Sequence, residues 1–247
     1  MKKDFKQEIV KEIKRLSGKK NVSQIYFDWV HIMAYTLSNG ADKIQFRKRE
    51  DAYLELINQY NKKEVEVFTK CFALLIEALE YKMHDWLGDI YMGLEISNKN
   101  AGQFFTPYSV SLLMAEITFT SSEEKLKEKN WIGYYEPCCG AGGMTIAFAE
   151  AMQKKKYNFQ TQLVVWCEDI DENCLLMTYV QLSLLGIKAI CKVKNSLSQE
   201  EFSTWYTPFY IYFPPKLEKK EETLEKVVEQ VVEQQELTGE IEQLALF

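Results

Sequence analysis

Apolar positions recur at three- and four-residue intervals through the first half of the chain. The run Ala52-Tyr53-Leu54-Glu55-Leu56-Ile57 has this spacing, and so does the stretch from Val65 through Leu79, which predicts amphipathic helices. Gly and Pro are scarce here, and the triplet Ser38-Asn39-Gly40 predicts a break between two helices. Thr106-Pro107 is a natural helix start, because Pro is preorganised for the first helical position. A further helix is predicted from Ser109 to Thr118. Residues 1–118 therefore read as a helical N-terminal domain.

The pattern then changes. Ile132-Gly133-Tyr134-Tyr135-Glu136 is short and aromatic, a glycine-rich turn follows, and an apolar helix is predicted from Met144 to Met152. Leu163–Cys167 predicts a second buried strand, Cys174–Leu185 a helix, Ala189–Val193 a third strand and Phe209–Phe213 a fourth. Strand, turn, helix, strand, helix, strand is the order of a parallel sheet with crossover helices. Residues 119–215 thus read as an α/β domain. From Lys216 the chain is Glu, Lys, Gln and Val. Leu224, Val227, Val228, Val231 and Val232 fall at helical spacing, so residues 216–247 form an acidic tail, helical or disordered.

The chain has 247 residues, 47% of them hydrophobic, which suffices for a core. It holds no apolar run of about 18 residues that could span a bilayer. No apolar stretch follows the basic start, so no signal peptide is expected and a cytoplasmic location is. Cys71, Cys138, Cys139, Cys167, Cys174 and Cys191 form no C-x-x-C pair, which argues against zinc and against a disulfide framework. The net charge of −6 is uneven. From Lys216 to Phe247 nine Glu face four Lys, while the first 20 residues hold eight Lys or Arg against three acids. Net charge therefore does not exclude nucleic acid. A solvated helix face explains the basic start equally well.

Candidate chemistry centres on Glu136-Pro137-Cys138-Cys139-Gly140-Ala141-Gly142-Gly143. It lies between a predicted strand and a predicted helix, where open α/β sheets bind nucleotides. Glycines allow a sharp turn and close approach of a ligand, and the helix start offers free N–H groups. A tight turn without a ligand is the alternative. Glu168-Asp169-Ile170-Asp171 ends the second strand. A carboxylate there can accept hydrogen bonds from a ribose diol, and Asp169 is the better candidate, with Glu168 second. Asp171 reads as the N-cap of the next helix. The loop lacks the G-x-G-x-x-G spacing and the P-loop lysine, so a ligand without phosphates suits it better than a dinucleotide.

These stretches resemble the N-6 adenine DNA methylase family, in particular the modification subunits of type I restriction systems. Gly102-Gln103-Phe104-Phe105-Thr106-Pro107 is similar to that family's G-Q-F-[FY]-T-P element. Glu136–Gly143 is similar to its D-P-x-x-G-S-G-G motif, with Glu for Asp and Ala141 for Ser. Glu168–Asp171, with the helix to Leu184-Leu185-Gly186-Ile187, resembles its ribose and adenine segment. His84-Asp85-Trp86-Leu87-Gly88 and Tyr91-Met92 resemble the helix before the first motif. The similarity spans roughly residues 80 to 212. It implies a partial Rossmann-like sheet that binds S-adenosylmethionine. Phe105 and Thr106 would touch the methionyl end, and Glu136, Gly140 and Gly142 the centre. Asp169 would hold the ribose, Ile170 pack on the adenine, and Asn195 bond the adenine amino group.

The chain departs from the family at its catalytic motif, [ND]-P-P-[FYW], which accepts hydrogen bonds from the target amine and stacks on the flipped base. Here Phe213-Pro214-Pro215-Lys216 stands in register. Phe213 cannot accept a hydrogen bond, and Lys216 offers no ring. Pro214-Pro215 also reads as a plain strand terminator. Only 32 residues follow Pro215, too few for three more strands. The expectation is adenine-N6 methyl transfer to DNA, without a metal and with a second methylase or specificity subunit as partner. The alternative is a degenerate accessory subunit. A small-molecule or protein methyltransferase fits Gly102–Pro107 less well. The terminal Gln243-Leu244-Ala245-Leu246-Phe247 resembles the short peptide by which bacterial replication proteins bind the sliding clamp.

Overall fold

A computed structural model describes residues 3–18, 20–95 and 105–215. Two compact units divide the chain, Met1–Pro214 and Pro215–Phe247. The first opens with five helices: α1 (Phe5–Arg15), α2 (Val22–Ala41), α3 (Phe46–Ile57), α4 (Lys62–Tyr81) and α5 (Trp86–Gly93). Helix α4 starts with a reciprocal cap, in which Asn61 accepts from the N–H of Glu64 and Glu64 accepts from that of Asn61. The expected break at Ser38-Asn39-Gly40 is absent. α2 continues to Ala41, and the chain turns at Asp42, whose carboxylate accepts from the N–H groups of Ile44 and Gln45. One glycine near a helix end lowers stability without stopping the helix.

Helix α6 (Tyr108–Lys129) is longer than the predicted Ser109–Thr118 and runs across residue 118. It stops at Asn130, which adopts a left-handed φ of 60°. Then come β1 (Ile132–Glu136), α7 (Gly143–Lys154), α8 (Phe159–Gln162), β2 (Leu163–Asp169), α9 (Glu172–Leu184), β3 (Lys188–Lys194), β4 (Glu201–Tyr206) and α10 (Pro208–Tyr212). The sheet order is β1-β2-β3-β4. The first three strands are parallel and joined through α7 and α9, as the alternating pattern predicts. A second helical layer lies outside these two, with α6 on α7 and α2 on α9. The core between the layers includes Tyr26, Trp29, Phe119, Phe148 and Tyr179, all essentially inaccessible. Two of these polar tips reach carbonyls: the Tyr26 hydroxyl donates to Leu87 O at 2.7 Å and the Trp29 ring N–H to Phe68 O at 3.2 Å. The fold is thus α/β, with a helical N-terminal region and a partial Rossmann-like sheet.

The fourth strand is not the one predicted. Phe209–Phe213 is helical through Tyr212, and the strand is Glu201–Tyr206, antiparallel to β3. Two local causes account for this. The Asn195 side-chain oxygen accepts from the N–H groups of Leu197 and Ser198, reversing the chain directly after β3. A connection this short permits only an antiparallel neighbour, since a parallel return needs about a dozen residues. Pro208 then occupies the first helical position of α10. A short apolar run does not by itself distinguish strand from helix.

The basic start of the chain is largely paired. Lys3 bonds Glu77, Arg15 bonds Glu12, and Lys70 of α4 reaches back to Glu8 and Glu12. The described residues there form a helix–helix seam more than a free cationic patch. No helix of the described residues is long and apolar enough to cross a membrane.

Candidate functional site

The carboxyl ends of β1 and β2 carry the glycine turn and the acidic cluster side by side. Glu136 pairs with Cys167, and the Cys139 N–H donates to Glu168 O at 2.9 Å, extending the β1–β2 ladder into the turn. The turn then curls tightly. Gly140 and Gly142 have φ of +55° and +94°, a region that side chains other than glycine rarely adopt. A Cβ on Gly142 would meet the backbone of Thr178 at 3.3 Å, so the turn is pressed against α9. From α9, Thr178 donates to Gly140 O and Gln181 to Ala141 O, each at 2.8 Å.

Alternation along β2 sends its two acids to opposite faces. Asp169 turns toward the glycines: its Oδ2 accepts from Gly140 N–H at 2.8 Å and its Oδ1 from Asp171 N–H at 2.9 Å. Burial raises its pKa from the ordinary value, and these two bonds pull it partly back. Glu168 faces the other way and is held by Tyr135, Ser196 and Lys194. Burial opposes its charge, yet Lys194, Ser196 and Tyr135 keep its pKa below the ordinary value. Asp171 caps α9 by accepting from Asn173 N–H.

A cavity of about 250 Å³ lies at the turn. Phe105, Thr106, Gly140 and Asp169 line it together, four of the eight residues the sequence singles out for the cofactor. The Phe105 ring lies over Gly140, close enough that a Cβ there would meet it at 3.2 Å. Gly142 stands behind this wall, against α9. Glu136, half-buried, accepts from the Tyr134 hydroxyl, and burial raises its pKa. Ile170 is exposed at the end of β2, and the side-chain oxygen of Asn195 serves its turn. These three do not line the cavity. Gly102-Gln103-Phe104 lies outside the described residues, as do Lys216 and Gln243–Phe247.

Phe213 and Pro214 do not line the cavity either, and Pro215 begins the second unit. β4 runs back along β3, and Thr207 N–H donates to Ala189 O near the start of that strand. α10 follows there, and Tyr212 donates to Gly40 O of α2. α10 therefore starts near the amino end of β3, while the glycine turn sits at the carboxyl ends of β1 and β2.

The cavity also gathers residues that sequence reasoning missed: Asp85, Ser111, Cys138, Met144 and Cys174. Asp85 enters the sequence reading only within the stretch that resembles the helix before the first motif; in the structure it caps α5, accepting from Gly88 N–H at 2.8 Å, and also stands on the cavity wall. Ser111 carries no sequence signal, because only the packing of α6 brings it there. The described walls thus hold two carboxylates and no Lys or Arg. Such a lining suits a cationic ligand and opposes a phosphate. No group of three or more metal-ligating side chains occurs among the described residues.

The chain matches the family described as N-6 DNA Methylase over residues 82–231. No curated protein matches it. Among solved structures, it is similar to a Listeria monocytogenes protein described as a class I S-adenosylmethionine-dependent methyltransferase. That likeness has 12% identity and a TM-score of 0.39, over 75% of this chain and 51% of the other. The chain spans about half the length of that structure.

Proposed function

As this chain belongs to the N-6 DNA methylase family, we propose that it binds S-adenosylmethionine in the cavity at the glycine turn and serves methyl transfer to adenine N6 in DNA. The observation that carries the reading is the anionic cavity itself, lined by Phe105, Thr106, Gly140 and Asp169. Bound there, the cofactor supplies an electrophilic methyl group on a positively charged sulfur. Asp169 would accept from the ribose hydroxyls, the glycine turn would admit close approach, and Asp85 and Asp169 would favour the positive charge. Ile170, Glu136 and Asn195 would contribute from the rim.

Handling of the target amine is the part we assign to an assembly, with a second methylase or specificity subunit. Two observations support this. Phe213 and Pro214 do not line the cavity, and β1 pairs only with β2 among the described residues, with Tyr135 on it 55% exposed. Open sheet edges are usually covered by another element. The same position of Phe213 favours the second reading, an accessory subunit without catalysis. Transfer of labelled methyl groups to unmethylated DNA, with and without cell extract, decides between them. Incorporation that depends on this chain supports the first reading, and none under either condition supports the second. Gln243–Phe247 is proposed as a sliding-clamp peptide, tested by clamp pull-down before and after its deletion.

Cofactor occupancy has a chemical readout. Cys138 is exposed and lines the cavity, whereas the other five thiols are buried. Burial pushes the Cys71 thiol up to about 12 and raises that of Cys139 well above its ordinary value, so both are poor nucleophiles at neutral pH. Brief alkylation of the native protein is expected to mark Cys138 first, and S-adenosylmethionine to slow it several-fold. Peptide mass spectrometry reads both rates. Labelling of Cys138 that ignores saturating cofactor would count against the site.

A further inference from the structure

Beyond the residues already considered, the cavity has a second acidic wall whose design is not explained by holding the fold together. Asp85 is buried, and its Oδ1 accepts both from Gly88 N–H and from Gln181 Nε2, at 2.8 and 2.9 Å. Its Oδ2 lies toward Gly143, where a Cβ would stand 3.2 Å away. No Lys or Arg pairs with it among the described residues. A neutral Asn or Ser caps a helix as well as Asp does, so the charge is not needed for the cap. Burial works against that charge and raises the Asp85 pKa. A buried carboxylate without a cation is costly unless a cation arrives.

Ser111 supplies the independent observation. It is fully buried on α6, lines the same cavity, and its hydroxyl has no hydrogen-bond partner among the described residues. Orphaned buried hydroxyls are uncommon, and one on a cavity wall points to a ligand group that satisfies it. Asp169 meets the turn at Gly140, and Asp85 meets it at Gly143. One ligand lying along the turn can therefore touch both carboxylates.

We propose that Asp85 and Ser111 form the subsite that takes the α-ammonium of the ligand's amino-acid end, with Asp169 serving the nucleoside end. An ammonium brings three donors and no acceptor, which matches a carboxylate oxygen and a hydroxyl. This inference rests on S-adenosylmethionine being the ligand. It adds which residues read the amino group.

The test compares S-adenosylhomocysteine with its deamino form by calorimetry, in wild type, Asp85→Asn and Ser111→Ala. Wild type is expected to prefer the amino compound by roughly tenfold or more, the scale of a charge-assisted hydrogen bond. Asp85→Asn keeps an oxygen for Gly88 and Gln181 and should abolish the preference, the amino compound losing roughly tenfold more affinity than the deamino compound. Ser111→Ala should reduce the preference and raise the melting temperature of the ligand-free protein, because it removes an unsatisfied hydroxyl. The Ser111 variant carries the test should Asp85→Asn not fold. A wild type that binds both compounds equally overturns the proposal, as does an Asp85→Asn loss equal for both. A wild type that binds neither these compounds nor S-adenosylmethionine overturns the cofactor reading and the subsite with it.

Discussion

Asp169→Ala is expected to weaken S-adenosylmethionine binding by about a hundredfold, the loss of two hydrogen bonds to a charged acceptor. The carboxylate has two tasks in the structure. It accepts from the N–H groups of Gly140 and Asp171, which holds the glycine turn against the end of β2. On the proposed reading it also accepts from the ribose. Alanine removes both, so affinity falls through lost contact and through a looser turn. Asp169→Asn separates them, because an amide oxygen still accepts from Gly140 while the charge is gone. It should bind more tightly than Asp169→Ala and more weakly than wild type. Calorimetry measures all three, and an alanine variant within threefold of wild type would falsify the assignment of Asp169.

Arg49→Ala should cost about 3–5 kcal/mol of folding stability, the usual price of stranding one half of a buried ion pair. Arg49 and Asp42 are both about 6% exposed or less, with Nη1 2.9 Å from Oδ2. The same guanidinium donates to Thr204 O at 2.8 Å and lies 3.8 Å from the Trp205 ring centre. Burial lowers the Arg49 pKa, and Asp42 pulls it partly back. One side chain thus fastens the end of α2 and the start of α3 to β4, the strand that is out of the expected place. Arg49→Lys should recover only part of the loss, since an ammonium lacks the planar fork that reaches several acceptors and stacks on indole. Asp42→Ala combined with Arg49→Ala should lose less than the sum of the two. Urea melts test this, and a loss under about 1 kcal/mol, the value of a surface pair, would show that the link is weak.

Much of the architecture was legible from side-chain order alone. The strand–turn–helix units β1–α7 and β2–α9 follow from an apolar run, a glycine or acidic punctuation and a second apolar run, and these signals are local. Asp171 as a cap is likewise local, since a side chain two residues before an N–H can reach it whatever the rest does. The glycine turn and Asp169 were legible together because the carboxyl ends of adjacent parallel strands are neighbours in any such sheet.

What the sequence determined by itself is therefore the order of the elements, the identity of the turn, and which carboxylate follows β2. Tertiary structure decided the rest. The apolar run Phe209–Phe213 reads as a strand yet is helical through Tyr212, and it is the reversal at Asn195, with Arg49 bridging Asp42 to Thr204, that sets β4 at Glu201–Tyr206. Asp85 and Ser111 come from α5 and α6, helices separated in the chain from the turn, and reach its cavity only when α5 packs against α9 and α6 against α7. No periodicity encodes such a meeting, because it depends on how layers stack and not on how residues alternate. The same stacking leaves Phe213 at the end of α10, outside the cavity at the glycine turn.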